Sequence, residues 1–244
     1  MRALLPATAC APSTVASVAV GSSLALAALR RSRLLGPARR VRERAFWPVE
    51  VEPRFRPAFR SLVPGRIAID CGANVGRYTE LMAERGADVL AFEPNPWAFA
   101  ALRRRFAGRS NVQCLNAAVT DHDGRMRLYL HQRSDQDPVR WSPGSSLVPD
   151  KGNVSARNWV DVETVDLDSL IAWLDRPVTL LKLDVEGAEL RLLRRLIETG
   201  RIGSVEHVLV EMHDQRVPSL AAEGARVRTL LTERGHEHVR LDWH

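Results

Sequence analysis

"RIAIDCGANVGRYTE", Arg66 to Glu80, is the stretch that decides the fold. A short apolar run of strand composition ends in a carboxylate, Asp70, and passes at once into a turn holding Gly72, Ala73, Asn74 and Gly76. "YTELMAERG" then has helical spacing, with Gly86 as its stop. Glycines permit a tight turn, and the helix behind it offers unpaired N–H groups to a ligand. In a dinucleotide site such a turn cradles a pyrophosphate. Asp70 would repel one, and Asn74 holds the place of the second glycine of the G-x-G-x-x-G fingerprint. The turn instead suits a cofactor with an adenosine, no phosphate and positive charge. S-adenosylmethionine, with its ammonium and sulfonium, has that chemistry.

Outward from this unit the chain keeps alternating strand-like and helix-like segments. "ADVLAFEP" reads as a second strand ending in Glu93, and "PWAFAALRRRFAG" as a helix opened by Asn95 and Pro96. "NVQCLNAAV" reads as a third strand, while "GRMRLYLH" and "WVDVETV" alternate like half-exposed strands. "DLDSLIAWL" is a capped helix, "VTLLKLD" a buried strand, "GAELRLLRRLIETG" a helix, and "VEHVLVEMH" and "HEHVRLDW" the last strands. The alternation predicts an α/β fold, a Rossmann-like doubly wound sheet, mostly parallel. Ligands of such sheets bind beyond the carboxyl ends of the strands, where strand order reverses. Asp70, Glu93, Asn116, Asp184, Glu211 and His213 all fall at predicted strand ends. Glu93, about 20 residues past the glycine turn, is placed to accept from a ribose diol.

"AIDCGANVGRYTELMAERGADVLAFEPNP", "NAAVTDHDG", "LLKLDVEGAELRLLRRL" and "VLVEMH", in this order, resemble the FkbM family of S-adenosylmethionine-dependent methyltransferases. The likeness runs from about Ile67 to His213; "DCGANVG" followed by "FEPNP", and "KLDVEGAE", are its most specific parts. It implies a class I methyltransferase domain that transfers a methyl group to an oxygen. By the same resemblance, Asp70, Gly72, Ala73, Asn74 and Gly76 hold the methionine end of the cofactor. Glu93 holds the ribose, Asn116, Ala117 and Ala118 line the adenine, and "KLDVEGAE" faces the reacting methyl.

A hydroxyl acceptor needs to lose its proton, so a base is expected near the methyl. Asp184, Glu186 and His213 are the candidates. Glu189 reads as a first-turn acid favoured by the helix dipole, and Lys182 either as a structural ion-pair partner or as a catalytic group. The acids and His213 also admit a divalent metal that would acidify the hydroxyl, but the chain shows no dense Asp/Glu/His signature, so a site without metal is the leading expectation. "WSPGSSLVPDKGN", Trp141 to Asn153, has the longest loop composition and is the expected acceptor-side lid, with Trp141 either stacking on a ring of the acceptor or packing.

The net charge of +6 is not a nucleic-acid footprint. Residues 1–66 hold twelve Arg against three acids, a net of +9, which leaves −3 for the rest. A domain with no basic excess of its own gives little support to phosphate-backbone binding, and the partner expected is a small-molecule or glycan acceptor. Cys10, Cys71 and Cys114 are too few and too far apart for a disulfide framework, which fits a cytoplasmic protein. The domain is expected over 61–244, behind a leader and linker over 1–60. Residues 3–29 carry no charge and have the length of a bilayer span, but are rich in Ala, Ser and Thr and interrupted by Pro6 and Pro12. A disordered or mis-started leader is the leading reading there, with a weak membrane anchor second and a cleaved signal third. Trp47 to Phe59 reads as a linker or lead-in to the domain. Two other functions compete: a cofactor-binding protein without catalysis, and a nucleotide-dependent oxidoreductase, which Asp70 and the absence of a Tyr-x-x-x-Lys pair disfavour. Nothing in the composition fixes the oligomeric state.

Overall fold

A computed structural model describes residues 51–174, 176–214 and 218–243. The expectations for residues 3–29 fall outside these. No helix of the described residues is long and apolar enough to cross a membrane.

In chain order the elements are α1 (Arg56–Arg60), β1 (Ile67–Cys71), α2 (Arg77–Glu84), β2 (Asp88–Phe92), α3 (Pro96–Arg105), β3 (Val112–Leu115), β4 (Ala118–Thr120), β5 (Gly124–His131) and β6 (Val154–Asp166). After these come α4 (Leu167–Trp173), β7 (Val178–Leu183), α5 (Glu189–Glu198), β8 (Val205–Val210), α6 (Ala221–Glu233) and β9 (Val239–Arg240). Six strands form one sheet in the order β3-β2-β1-β7-β8-β9, and every neighbouring pair is parallel. The strand order reverses between β1 and β7, so the crevice beyond their carboxyl ends is the switch point of a doubly wound sheet. A second sheet, β4-β6-β5, pairs β4 with β6 in parallel and β5 with β6 antiparallel.

Both faces of the main sheet are covered, which is why its central strands read as continuous apolar runs rather than alternating ones. All five residues of β1 are buried. Ile67, Ile69 and Cys71 face the cluster that α4, α5 and α6 close, and Ala68 faces the cluster formed with α1 and α2. The helix entries show the expected chemistry. Asn95 Oδ1 accepts from the amides of Trp97 and Ala98 ahead of α3, and Asp166 Oδ1 caps α4 through Asp168 and Ser169.

Two expectations are corrected. "NVQCLNAAV" is two strands, not one. Asn116 Nδ2 donates to the carbonyls of Glu93 and Pro94, where the main ladder ends, and the chain leaves β3 to start β4 beside β6. The linker expected over Trp47 to Phe59 belongs, from Val51 on, to the folded body. Phe55 and Phe59 pack with Tyr78 around the fully buried Trp243, at ring separations of 5.0, 5.8 and 4.9 Å. A proline-dotted composition hid this apolar spacing.

Candidate active site

β1 and β7 bring two turns to the switch point: Gly72–Gly76 after β1, and Asp184–Gly187 after β7. The register sets Asp70 of β1 directly beside Lys182 of β7. Both are buried inside the sheet, with the ammonium 3.2 Å from Asp70 Oδ1. Lys182 also lies 3.4 Å from Asp184 Oδ2 and donates to the Gly72 carbonyl at 3.2 Å. Burial alone would lower its pKa, but the charges of Asp70 and Asp184 outweigh that and hold it above its ordinary value. Asp70 Oδ2 accepts from Thr79 Oγ1 of α2 at 2.7 Å. Asp70 is thus fully enclosed, and whatever it does for a ligand it does through Lys182.

The glycines permit the tight turn expected of them. A Cβ on Gly72 would sit 1.8 Å from the Asp184 carbonyl oxygen, and one on Gly76 would meet Phe106 at 2.3 Å. Both have positive φ, +79° and +86°. They let the two turns and α3 pack together.

Glu93 is buried behind the first turn. Its two oxygens accept from the amides of Asn74 and Asn95, each at 2.8 Å, so one carboxylate fixes both the glycine turn and the entry to α3. Burial pushes its pKa up to about 7, against the two amide hydrogen bonds, which lower it. Asn116 is exposed next to it, tied to the Glu93 and Pro94 carbonyls, and Ala117 and Ala118 behind it are buried. Glu93, Asn74 and Asn116 to Ala118 therefore share one side of the switch point.

On the other side, Asp184, Glu186 and His213 come together, with one ligand atom of each within 4.8 Å of the others. Glu186 has φ +57°; it and Asn74, at +49°, are the non-glycine residues with left-handed backbone among those described. Such strain collects at functional turns. His213 is fully buried, its Nδ1 2.9 Å from Glu189 Oε1 and its Nε2 3.1 Å from Glu186 Oε2 and 3.6 Å from Glu211 Oε1. Burial works against its charge, yet the Glu189 hydrogen bond and the charges of Glu189, Glu186 and Asp184 raise its pKa overall. Burial and the Asp184 charge likewise raise that of Glu211. Glu189 does more than favour the helix dipole. It is buried at the start of α5 and accepts from the amides of Val185 and Gly187, so it holds the turn as well as the histidine.

The loop between β5 and β6 covers both sides. Ser142 Oγ accepts from Asn74 Nδ2 at 2.9 Å, and Asn95 Nδ2 donates to Ser145 Oγ at 3.4 Å. Ser146 Oγ donates to the Glu186 carbonyl, and Lys151 Nζ, almost fully buried, bonds the Glu186 carboxylate and the Gly144 carbonyl. Trp141 stacks on His131 at 4.7 Å, with Arg133 and Arg140 near its ring.

Lys151 and these loop serines are what sequence reasoning missed. One signal was available: the chain has two lysines among its 35 basic residues, and both are buried at this site. Where every other cation is Arg, a lysine marks a place that needs a compact point charge rather than a planar fork.

A six-stranded parallel sheet with acids on both sides of its switch point is the framework of a Rossmann-like methyltransferase. Residues 70–237 match the model of the Methyltransferase FkbM domain, and the chain belongs to that family. It is 28% identical over 140 residues to the 2-O-methyltransferase NoeI of Sinorhizobium fredii, covering 52% of this chain and 55% of that protein. It is 28% identical to Methyltransferase 1 of Beauveria bassiana, with 72% of this chain and 74% of that one aligned. The 31-O-demethyl-FK506 methyltransferase FkbM of Streptomyces tacrolimicus is 29% identical, over 72% of this chain and 73% of its own length.

Proposed function

We propose that this protein transfers a methyl group from S-adenosylmethionine to a hydroxyl of a small molecule, natural product or glycan. The observation that carries the reading is the division of the switch point between an adenosine-compatible side, Glu93 with Asn74 and Asn116, and an acid-lined side, Asp184 and Glu186 with His213. The relatives named as O-methyltransferases support transfer to oxygen.

When bound, S-adenosylmethionine supplies a methyl carbon already activated by a sulfonium. The protein's work is then orientation, exclusion of water and removal of one proton. Glu93 keeps lone pairs free for ribose hydroxyls after accepting from Asn74 and Asn95, and Asn116, Ala117 and Ala118 border the adenine beside it. The turn from Gly72 to Gly76 lies next to the ammonium of Lys182, which suits the carboxylate of the methionine end. Asp70 positions that lysine. The acceptor hydroxyl enters beside Asp184 and Glu186, and its proton leaves into the group they form with His213. The loop from Trp141 to Asn153 seals the site from both sides through Ser142 and Lys151. A cytoplasmic location fits a cofactor of this kind.

Calorimetric titration of the full chain with S-adenosylmethionine, S-adenosylhomocysteine and NAD tests the reading. Micromolar binding of the first two, lost in Glu93→Gln, is expected. Preference for NAD, or no binding of the first two, overturns it.

A further inference from the structure

The group formed by Asp184, Glu186 and His213 has features that proton removal does not use, and the role they point to rests on the reading of that side as the acceptor's. Around it converge five carboxylates, from Asp70, Asp184, Glu186, Glu189 and Glu211, against the ammonium groups of Lys182 and Lys151. His213 is fully buried, and its Nδ1 faces a carboxylate, which only accepts; Nδ1 therefore carries a proton. Its Nε2 is buried and makes no hydrogen bond, although it points at Glu186 Oε2 and Glu211 Oε1. A buried lone pair aimed at carboxylate oxygens is costly unless a proton or a metal cation lies between them.

We propose that Asp184, Glu186 and His213 bind a divalent cation of the manganese or magnesium type. Two carboxylates with one imidazole suit such an ion. Ligands at bond lengths of about 2.1 Å in octahedral geometry lie about 3.0 Å apart along an edge, and His213 Nε2 is 3.1 Å from Glu186 Oε2. The remaining separations, all within 4.8 Å, close by small side-chain rotations. Glu189 on Nδ1 supplies the carboxylate partner that orients metal-binding histidines. Three protein ligands leave coordination positions open for water and for the acceptor oxygen. On that oxygen the ion would act as a Lewis acid, easing loss of the hydroxyl proton. The sequence showed no metal signature because the ligands come from two strand ends, 27 residues apart along the chain from Glu186 to His213. Lys151 is the ion's rival: it brings an ammonium from the covering loop to the same Glu186 carboxylate.

The test is titration of the metal-free full chain with Mn2+ alone, monitored by the electron paramagnetic resonance of the free ion and by calorimetry. One ion per chain is expected. Asp184→Asn and Glu186→Gln, at half-buried positions that tolerate an isosteric amide, are each expected to weaken binding about tenfold or more. Lys151→Met, which removes the rival cation, is expected to tighten it. His213→Ala is read only alongside a circular dichroism spectrum, because the imidazole is buried. No uptake at millimolar Mn2+, or uptake indifferent to Asp184→Asn and Glu186→Gln, overturns the site and leaves a proton on Nε2 to fill the gap. S-adenosylmethionine titrated into the same metal-free sample separates the two readings. Cofactor binding without Mn2+ binding removes only the ion site, and Mn2+ binding without cofactor binding removes only the methyltransferase assignment.

Discussion

The turn after β1 and the turn after β7 are built alike and behave differently. Each succeeds a buried parallel strand, contains a non-glycine residue in left-handed backbone, and has an acid beside the Lys182 ammonium. In the first, Asp70 is 0% exposed and is held by Thr79 and Lys182. In the second, the side chains of Asp184 and Glu186 are 27% and 20% exposed. One carboxylate is enclosed to fix an ammonium, and the other two are left reachable. A carboxylate at a strand end is therefore not a ligand group by position alone. What distinguishes the second turn is acid left partly uncovered at the switch point.

The sharpest way to break this comparison is to neutralise both acids in turn. Asp70→Asn leaves Lys182 buried with one carboxylate fewer, and removal of one partner from a buried ion pair costs about 3–5 kcal/mol. Asp184→Asn, at a half-exposed position with solvent to compensate, is expected to cost about 1 kcal/mol or less. Urea denaturation of the two variants reads the difference. Equal costs would mean that the two turns do not differ in kind.

Glycine substitution sharpens it further. Gly72→Ala drives a Cβ into the backbone oxygen of Asp184 at φ +79°, and that carbonyl has no room to move. Strain and overpacking together put the expected loss at about 2–4 kcal/mol. Gly187→Ala, at φ +114°, meets a Val148 methyl at 2.9 Å, a side chain that can rotate away. It is expected to cost about 1 kcal/mol less. The ranking is checked by thermal unfolding.

Much of this framework is legible in the sequence. The parallel sheet is readable from buried apolar runs alternating with helices, and the switch point from "DCGANVG" and "KLDVEG" at strand ends. What stayed hidden depends on pairings that no local pattern carries. The register that sets Asp70 beside Lys182 is fixed only when β1 meets β7. The loop serines reach Asn74 and Asn95 across separations of 68 and 50 residues. Lys151 lies 35 residues from Glu186, in a segment whose composition says only that it is a loop. The break between β3 and β4 is likewise a tertiary event, made by Asn116 binding two carbonyls of the neighbouring strand end.

Glu93 gives the comparison a pH dependence. Its folded-state pKa, about 7, lies above that of an exposed glutamate, so the native protein binds this proton more tightly than the unfolded chain does. The stability it contributes is complete below the unfolded pKa and is lost as pH rises through about 7. The total change is on the order of 3 kcal/mol. Glu93→Gln carries no such proton, so the stability of wild type relative to the variant should fall across that window. An unchanged difference between pH 4 and 8, measured by denaturant unfolding, would show that the Glu93 environment is wetter than it looks.

The smallest effect expected is at the loop, and it bears on how the two turns act together. Ser142 is joined to the first turn through Asn74, while Ser146 and Lys151 are joined to the second through Glu186. The loop therefore closes over both only when each turn is in place. Ser142→Ala removes the bond from Asn74 Nδ2, worth about 1 kcal/mol, together with a bond to the Val139 carbonyl inside the loop, without touching the hydrophobic core. It should leave global stability within a few tenths of a kcal/mol, because a loop can open without unfolding the sheet. Its effect should fall on exchange instead: release of S-adenosylhomocysteine, measured by stopped flow, is expected to speed up about fivefold for that loss. Lys151→Met should act on the opposite side of the site and leave that release rate less changed. Equal acceleration by both would show that the loop moves as one rigid piece, whereas a larger effect from Ser142→Ala would assign its two ends to two separate ligands.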